Sequence, residues 1–333
     1  MKYIYFLIIL LLWSCSTATI DQQSEQPVSL ADSVKAAERR VEAISLLGDT
    51  LYRMELPEAR QIQYDSALII AQQNYDQAPQ NLENIIWLGR RLAYLGRYRE
   101  AINVYTQGLR IFPDSPELYR HRGHRYISTR QFDKAITDLE QSALLIASSP
   151  LKKEQNGIPI PLPEDDRPAT LQFNVFYHLG LAYYLEGEYG QAAQAYEKCL
   201  EYCQNDDEIT ATADWLYMAY RRLGEDEVAE ETLAMIKEDM DIRENEGYFE
   251  RLLMYKGMLE PNELLKIGSD IPLADRDLTL ATQGYGVGNF YLYNGEQAVG
   301  LKVMEDIVEG RHWAAFGYIA AEADLARMKE KNP

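Results

Sequence analysis

Four histidines, three cysteines and a glycine run are the residues of this 333-residue chain whose types could carry chemistry. His121 and His124 stand three apart, so on a helix they share a face. Two imidazoles can ligate a metal. No carboxylate stands at a matching spacing, so hydrogen bonding to a ligand is the better functional reading. Cys199 and Cys203 lie in YEKCLEYC. On one helix that spacing makes a strained disulfide, and the two read as small core residues. Gly284, Gly286 and Gly288 in GYGVGN lack the preceding strand and the spacing of a nucleotide loop. Close helix packing is the reading they carry. No GxSxG, HExxH or phosphate-loop sequence is present, and the acidic residues fall in solvated runs such as GEDEVAEE. The sequence therefore predicts a non-catalytic protein that needs no cofactor and no metal.

Charge narrows the partner class. The net charge is −19, which opposes general binding to a nucleic-acid backbone. It is unevenly spread. Residues 82–145 hold ten Lys or Arg against seven Asp or Glu, whereas residues 201–250 hold four against sixteen. The basic density peaks in YRHRGHRYISTR, at Arg120, Arg122, Arg125 and Arg130.

The elements that would position these groups repeat. Residues 82–115 carry Ile85, Leu88-Gly89, Leu92, Gly96, Tyr98, Ala101, Tyr105 and Pro113. Residues 116–147 carry Tyr119, Gly123, Tyr126, Phe132, Ala135 and Leu139 in the same order, with Gly123 placed 34 positions after Gly89. Residues 173–205 carry Phe176, Leu179-Gly180, Tyr183, Gly187, Tyr189, Ala192 and Tyr196. Small residues at these places let two helix backbones approach, and the aromatics fill the space between hairpins, so that one hairpin cannot bury its face alone. The pattern resembles the tetratricopeptide repeat. That resemblance implies an all-α fold, an α-α superhelix in which a right-handed solenoid of helical hairpins encloses a concave groove lined by each first helix.

Weaker units flank these three. Residues 34–79 read as an earlier helical hairpin broken near Pro57, and residues 210–238 as a later one. Residues 244–268 read as a shortened hairpin broken near Pro261. Residues 278–310 read as a hairpin whose second helix starts two positions early, and residues 312–329 as a final amphipathic helix. A helical-repeat domain is thus expected over 34–329. It is interrupted at 147–170 by an insertion with Pro150, Pro159, Pro161, Pro163 and Pro168, where alternate prolines forbid helix and favour extended chain. Ile158, Ile160 and Leu162 of this insertion either pack on the solenoid's edge or offer an apolar surface.

The N-terminus reads MKYIYFLIILLLWSC. Its eleven-residue apolar run is too short to span a bilayer and suits a signal segment over 1–14. The run ends at Ser14-Cys15, which resembles the bacterial lipobox, so Cys15 is the expected lipidation site. Residues 15–33 are the expected flexible tether. The combination resembles envelope lipoproteins of the Bacteroidetes type. It implies an outer-membrane lipoprotein facing the periplasm, with the cell surface or inner membrane as alternatives.

Matching repeat positions places Arg90, Tyr94, Arg120, His121, His124, Asn174, Tyr177 and His178 on the concave face. Cations with aromatics suit an acidic protein or peptide segment. The resemblance to the peptide-carboxylate clamp of some family members is incomplete, because its paired Lys and Asn positions are not reproduced. The arginines also admit a second reading, as partners of acidic neighbours between repeats. The expected function is a protein–protein interaction scaffold of the envelope that binds a partner segment in this groove. A glycan- or nutrient-binding lipoprotein beside an outer-membrane transporter is the alternative.

Overall fold

The computed structural model describes residues 40–155, 167–265 and 277–331. Residues 1–39 lie outside the described residues, so Cys15, the signal segment and the tether are not among them, nor are Ile158, Ile160 and Leu162. Among the described residues no helix is long and apolar enough to cross a membrane.

The repeat units fold as helical hairpins. α1 (Glu58–Gln77) precedes the hairpins α2 (Leu82–Tyr94) with α3 (Tyr98–Ile111) and α4 (Pro116–Ser128) with α5 (Phe132–Ile146). α6 (Leu171–Glu186) with α7 (Tyr189–Leu200) and α8 (Asp206–Leu223) with α9 (Asp226–Leu233) follow. The first helix of each pair starts on a side-chain cap. Asn81, Ser115, Thr170 and Asn205 each accept a backbone N–H that the helix cannot satisfy itself. Gly89 sits so close to the next helix that a Cβ would lie 2.3 Å from the Tyr105 ring, and at Gly180 it would lie 2.8 Å from Tyr196. Those contacts give the repeat its Gly-to-Tyr spacing a physical cause.

Three readings of the flanks change. Residues 41–52, expected as helix, form an antiparallel pair, β1 (Val41–Ile44) and β2 (Thr50–Tyr52). Gly48 turns the chain at φ +97°, and Ser45 Oγ accepts the N–H groups of Leu47 and Asp49. The pair is then held from far away, by Trp313 Nε1 donating to the Tyr52 carbonyl (2.8 Å) and Leu46 N–H donating to Glu322 Oε1 (2.6 Å). After α10 (Glu246–Tyr255), the short α11 (Pro261–Leu264) and a π-helical turn at Leu280–Gly284, α12 (Tyr285–Tyr293) pairs with α13 (Gln297–Glu309). This last pair keeps the ordinary spacing. Gly300 is the small residue facing Gly288, since a Cβ on Gly300 would lie 2.6 Å from the Gly288 carbonyl.

The third change is the largest. α14 (Phe316–Lys331) is not an amphipathic cap. Residues 317–325 are buried on every face, Glu322 and Asp324 included. The helix packs against α6, α12 and α13. Buried carboxylates survive only when paired. Glu322 meets Arg130, and Asp324 meets Arg222, Arg327 and the Tyr285 hydroxyl.

Candidate interaction site

The predicted groove residues come from α2, α4 and α6, and the structure separates them into an outer group and an inner one. The outer group holds Arg90, Tyr94, Arg120 and Asn174, each only partly buried. Tyr94 packs against Tyr64 of α1, ring centres 5.8 Å apart. Arg90 lies over the Trp87 ring at 4.4 Å, and Arg91 lies over the same ring at 4.7 Å.

The inner group is packed. His121 and His178 are buried, and the His124 and His178 rings stand 4.1 Å apart with Phe316 of α14 against both. Burial and the guanidinium charges of Arg120 and Arg125 hold all three imidazoles well below the usual histidine range, so they are neutral. His121 Nδ1 accepts from Arg120 Nη1 at 2.7 Å, which leaves its proton on Nε2. His178 Nδ1 donates to the Asn174 carbonyl at 2.6 Å. Tyr177 is also buried, with its hydroxyl accepting from Trp215 Nε1 at 3.1 Å and donating to Tyr248. These inner residues support the outer ones from behind.

The centre of the outer group is filled by the chain itself. The first limb of the insertion runs antiparallel to the residues entering α6. Glu154 N–H donates to the Ala169 carbonyl at 2.9 Å, and Leu171 N–H to that of Lys152 at 2.7 Å. This sets the Glu154 carboxylate 2.8 Å from Arg120 Nη2 and 2.6 Å from Asn174 Nδ2, with His121 Nε2 at 3.5 Å. Arg90 Nη2 donates to the next carbonyl, that of Gln155, at 2.9 Å. Lys152 is tied to Glu117 at 2.5 Å.

The remaining arginines of the basic segment have separate fates. Arg122 pairs at two points with Asp138 inside its own hairpin, at 2.7 and 2.8 Å. Arg130 pairs with Glu322. Arg125 lies over the Tyr98 ring at 5.2 Å. Glu154, Trp87, Arg91 and Arg125 were not among the predicted site residues. The repeat could have supplied Arg91 and Arg125, which stand 34 positions apart. Nothing in the insertion's sequence marks Glu154, because its place depends on how the limb returns to α6. Cys199 and Cys203 are free, with Cys199 buried, and both sulfurs lie near the Thr212 hydroxyl, at 3.5 and 3.6 Å. The described residues contain no group of three or more side chains able to hold a metal.

This architecture is a solenoid of helical hairpins in which α2, α4 and α6 bring cationic and aromatic side chains together. Family models match a TPR repeat at residues 89–127 and a tetratricopeptide repeat at residues 173–206. Those two stretches thus match tetratricopeptide repeats. It is similar to BBSome complex member BBS4 of Bos taurus, 26% identical over 141 residues, which cover 42% of this chain and 22% of that protein. It is also similar to the small glutamine-rich tetratricopeptide repeat-containing protein 2 of Saccharomyces cerevisiae, 25% identical over 150 residues, covering 45% and 36%. The chain therefore spans only 22% and 36% of the lengths of these relatives. Among solved structures, MamA aligns with a TM-score of 0.40 at 19% identity, covering 61% of this chain and 96% of MamA. YrrB, described as a TPR protein with an unusual peptide-binding site, aligns at 0.40 and 13% identity, covering 78% and 97%.

Proposed function

We propose that this protein is a non-catalytic interaction scaffold of the bacterial cell envelope, tethered by a lipid on Cys15, which binds an acidic segment of a partner protein on the face formed by Arg90, Tyr94, Arg120 and Asn174. One observation carries the reading. The Glu154 carboxylate and the Gln155 carbonyl are held there by a guanidinium each, with the Asn174 amide joining the first, as the carboxylate and backbone of a peptide would be. His121, His124, Tyr177 and His178 are the packed layer that fixes those donors, so rotamer entropy is already spent when a ligand arrives. The lipobox-like Ser14-Cys15 supports the envelope location.

The test is site-specific photo-crosslinking in cells from a probe at Tyr94, with the captured partner identified by mass spectrometry. The same partner should disappear in the Arg90→Glu, Arg120→Glu double variant while helicity is retained. Crosslinks unchanged by those two charge reversals would remove the face from consideration.

A further inference from the structure

Arg125 is the residue the site does not explain. It is partly buried on Tyr98, and no carboxylate of the described residues reaches ion-pair distance of it. Arg90 lies close enough to Arg120 and Arg125 to disfavour the charge on both, and Arg125 does the same to Arg120. Against these three cations the described residues set one carboxylate, that of Glu154. Partly buried like charges repel one another in a medium that screens them poorly. An arrangement with two positive charges to spare is therefore suited to an anion from outside.

The Glu154 limb shows what kind of anion. It is an extended stretch of backbone, read by Arg120 and Asn174 at a side-chain carboxylate and by Arg90 at a main-chain carbonyl. Among the described residues its other ties are two backbone hydrogen bonds to residues 169–171, the Lys152 pair with Glu117, and two contacts through Gln172. Lys152 is half exposed in that pair, so the tie is weak.

We propose that residues 151–155 are a resident stand-in for an extended acidic partner segment, which competes with Glu154 for Arg120 and Asn174 and brings the second carboxylate that Arg125 lacks. This rests on the reading of the concave face as the partner site. The unliganded protein is then self-blocked. Partners with isolated acids are rejected, and those with acids on successive outward positions of an extended chain are accepted, because only they satisfy Arg120 and Arg125 together.

The experiment is an anisotropy titration of the full chain with a fluorescein-labelled peptide alternating Glu and Ser. A Gln-for-Glu peptide serves as control. Glu154→Gln keeps an oxygen for Asn174 but gives up the charge. It should bind the acidic probe about tenfold more tightly than the unsubstituted protein, equivalent to about 1.4 kcal/mol. Arg125→Gln, which does not touch the limb, should lose at least that factor in either background, and thermal melting should show both variants folded. Equal affinity of Glu154→Gln and the unsubstituted protein would overturn the competition while leaving the concave face as a binding site. Probe binding untouched by Arg125→Gln would overturn the second subsite. Absence of acidic-probe binding by every folded form would overturn the partner-site reading and the competition with it.

Discussion

Arg130 and Glu322, 192 residues apart in sequence, form a buried two-point ion pair, with Nε to Oε1 at 3.1 Å and Nη2 to Oε2 at 2.6 Å. The same guanidinium donates to the carbonyls of Ser128 and Trp313. Arg130 is also the one described non-glycine residue with positive φ, at 60°. It stands 34 positions after Gly96, and Gly187, Gly224 and Gly295 turn the corresponding hairpins with the same left-handed backbone. A left-handed arginine costs on the order of 1 kcal/mol. The pair with α14 offsets that cost, because Glu322 would otherwise be a buried charge without a partner.

Glu322→Ala should therefore destabilise the protein by about 3–5 kcal/mol in urea unfolding, the range for leaving one member of a buried pair alone. Arg130→Gly relieves the backbone but abandons Glu322, and it should still destabilise. The double variant should be less damaged than the sum of the singles. Additive losses would mean that the two residues do not act as a pair.

Gly180→Ala should cost about 1–3 kcal/mol, because its Cβ would lie 2.8 Å from the Tyr196 ring, which is fully buried and has nowhere to move. Gly190→Ala is the control. Nothing lies within 4 Å of its Cβ, so it should be neutral or slightly stabilising. A melting-temperature comparison of the two variants decides the matter.

Acid should weaken the fold through His121, His124 and His178. Each is held neutral in the native state by burial and nearby arginines, whereas in the unfolded chain each takes up a proton below the ordinary value of 6.5. The unfolded state then binds more protons, so stability is present above pH 6.5 and lost as pH falls below it. From pH 7 to 5.5 the loss should be about 1 kcal/mol per histidine. His124→Leu should remove one such share from the slope of stability against pH. An unchanged slope would show that His124 titrates normally in the folded protein.

Metabolic labelling with a fatty-acid analogue should mark the protein, and Cys15→Ala should abolish the mark. Retained label in that variant would place the lipid elsewhere.

The sequence alone determined the hairpins. Gly89, Tyr105, Gly123, Leu139, Gly180 and Tyr196 recur because each contact joins two helices of one hairpin, close in sequence, so it repeats with the unit. The Arg122–Asp138 pair is likewise internal to one hairpin. The concave face was partly legible. Repeat positions bring Arg90, Arg120 and Asn174 together, but they do not show that Tyr177 and His178 face inward. That depends on Phe316 and Trp215, which arrive from other parts of the chain. Only the tertiary structure decided three things: that residues 41–52 pair as strands, that residues 317–325 of α14 are enclosed on all sides, and that Glu154 occupies the cationic face. Each is settled by contacts between segments distant in sequence or by the return path of an irregular insertion. Propensity and periodicity carry no information about either, because burying a segment's polar groups depends on which partners the rest of the fold presents to it.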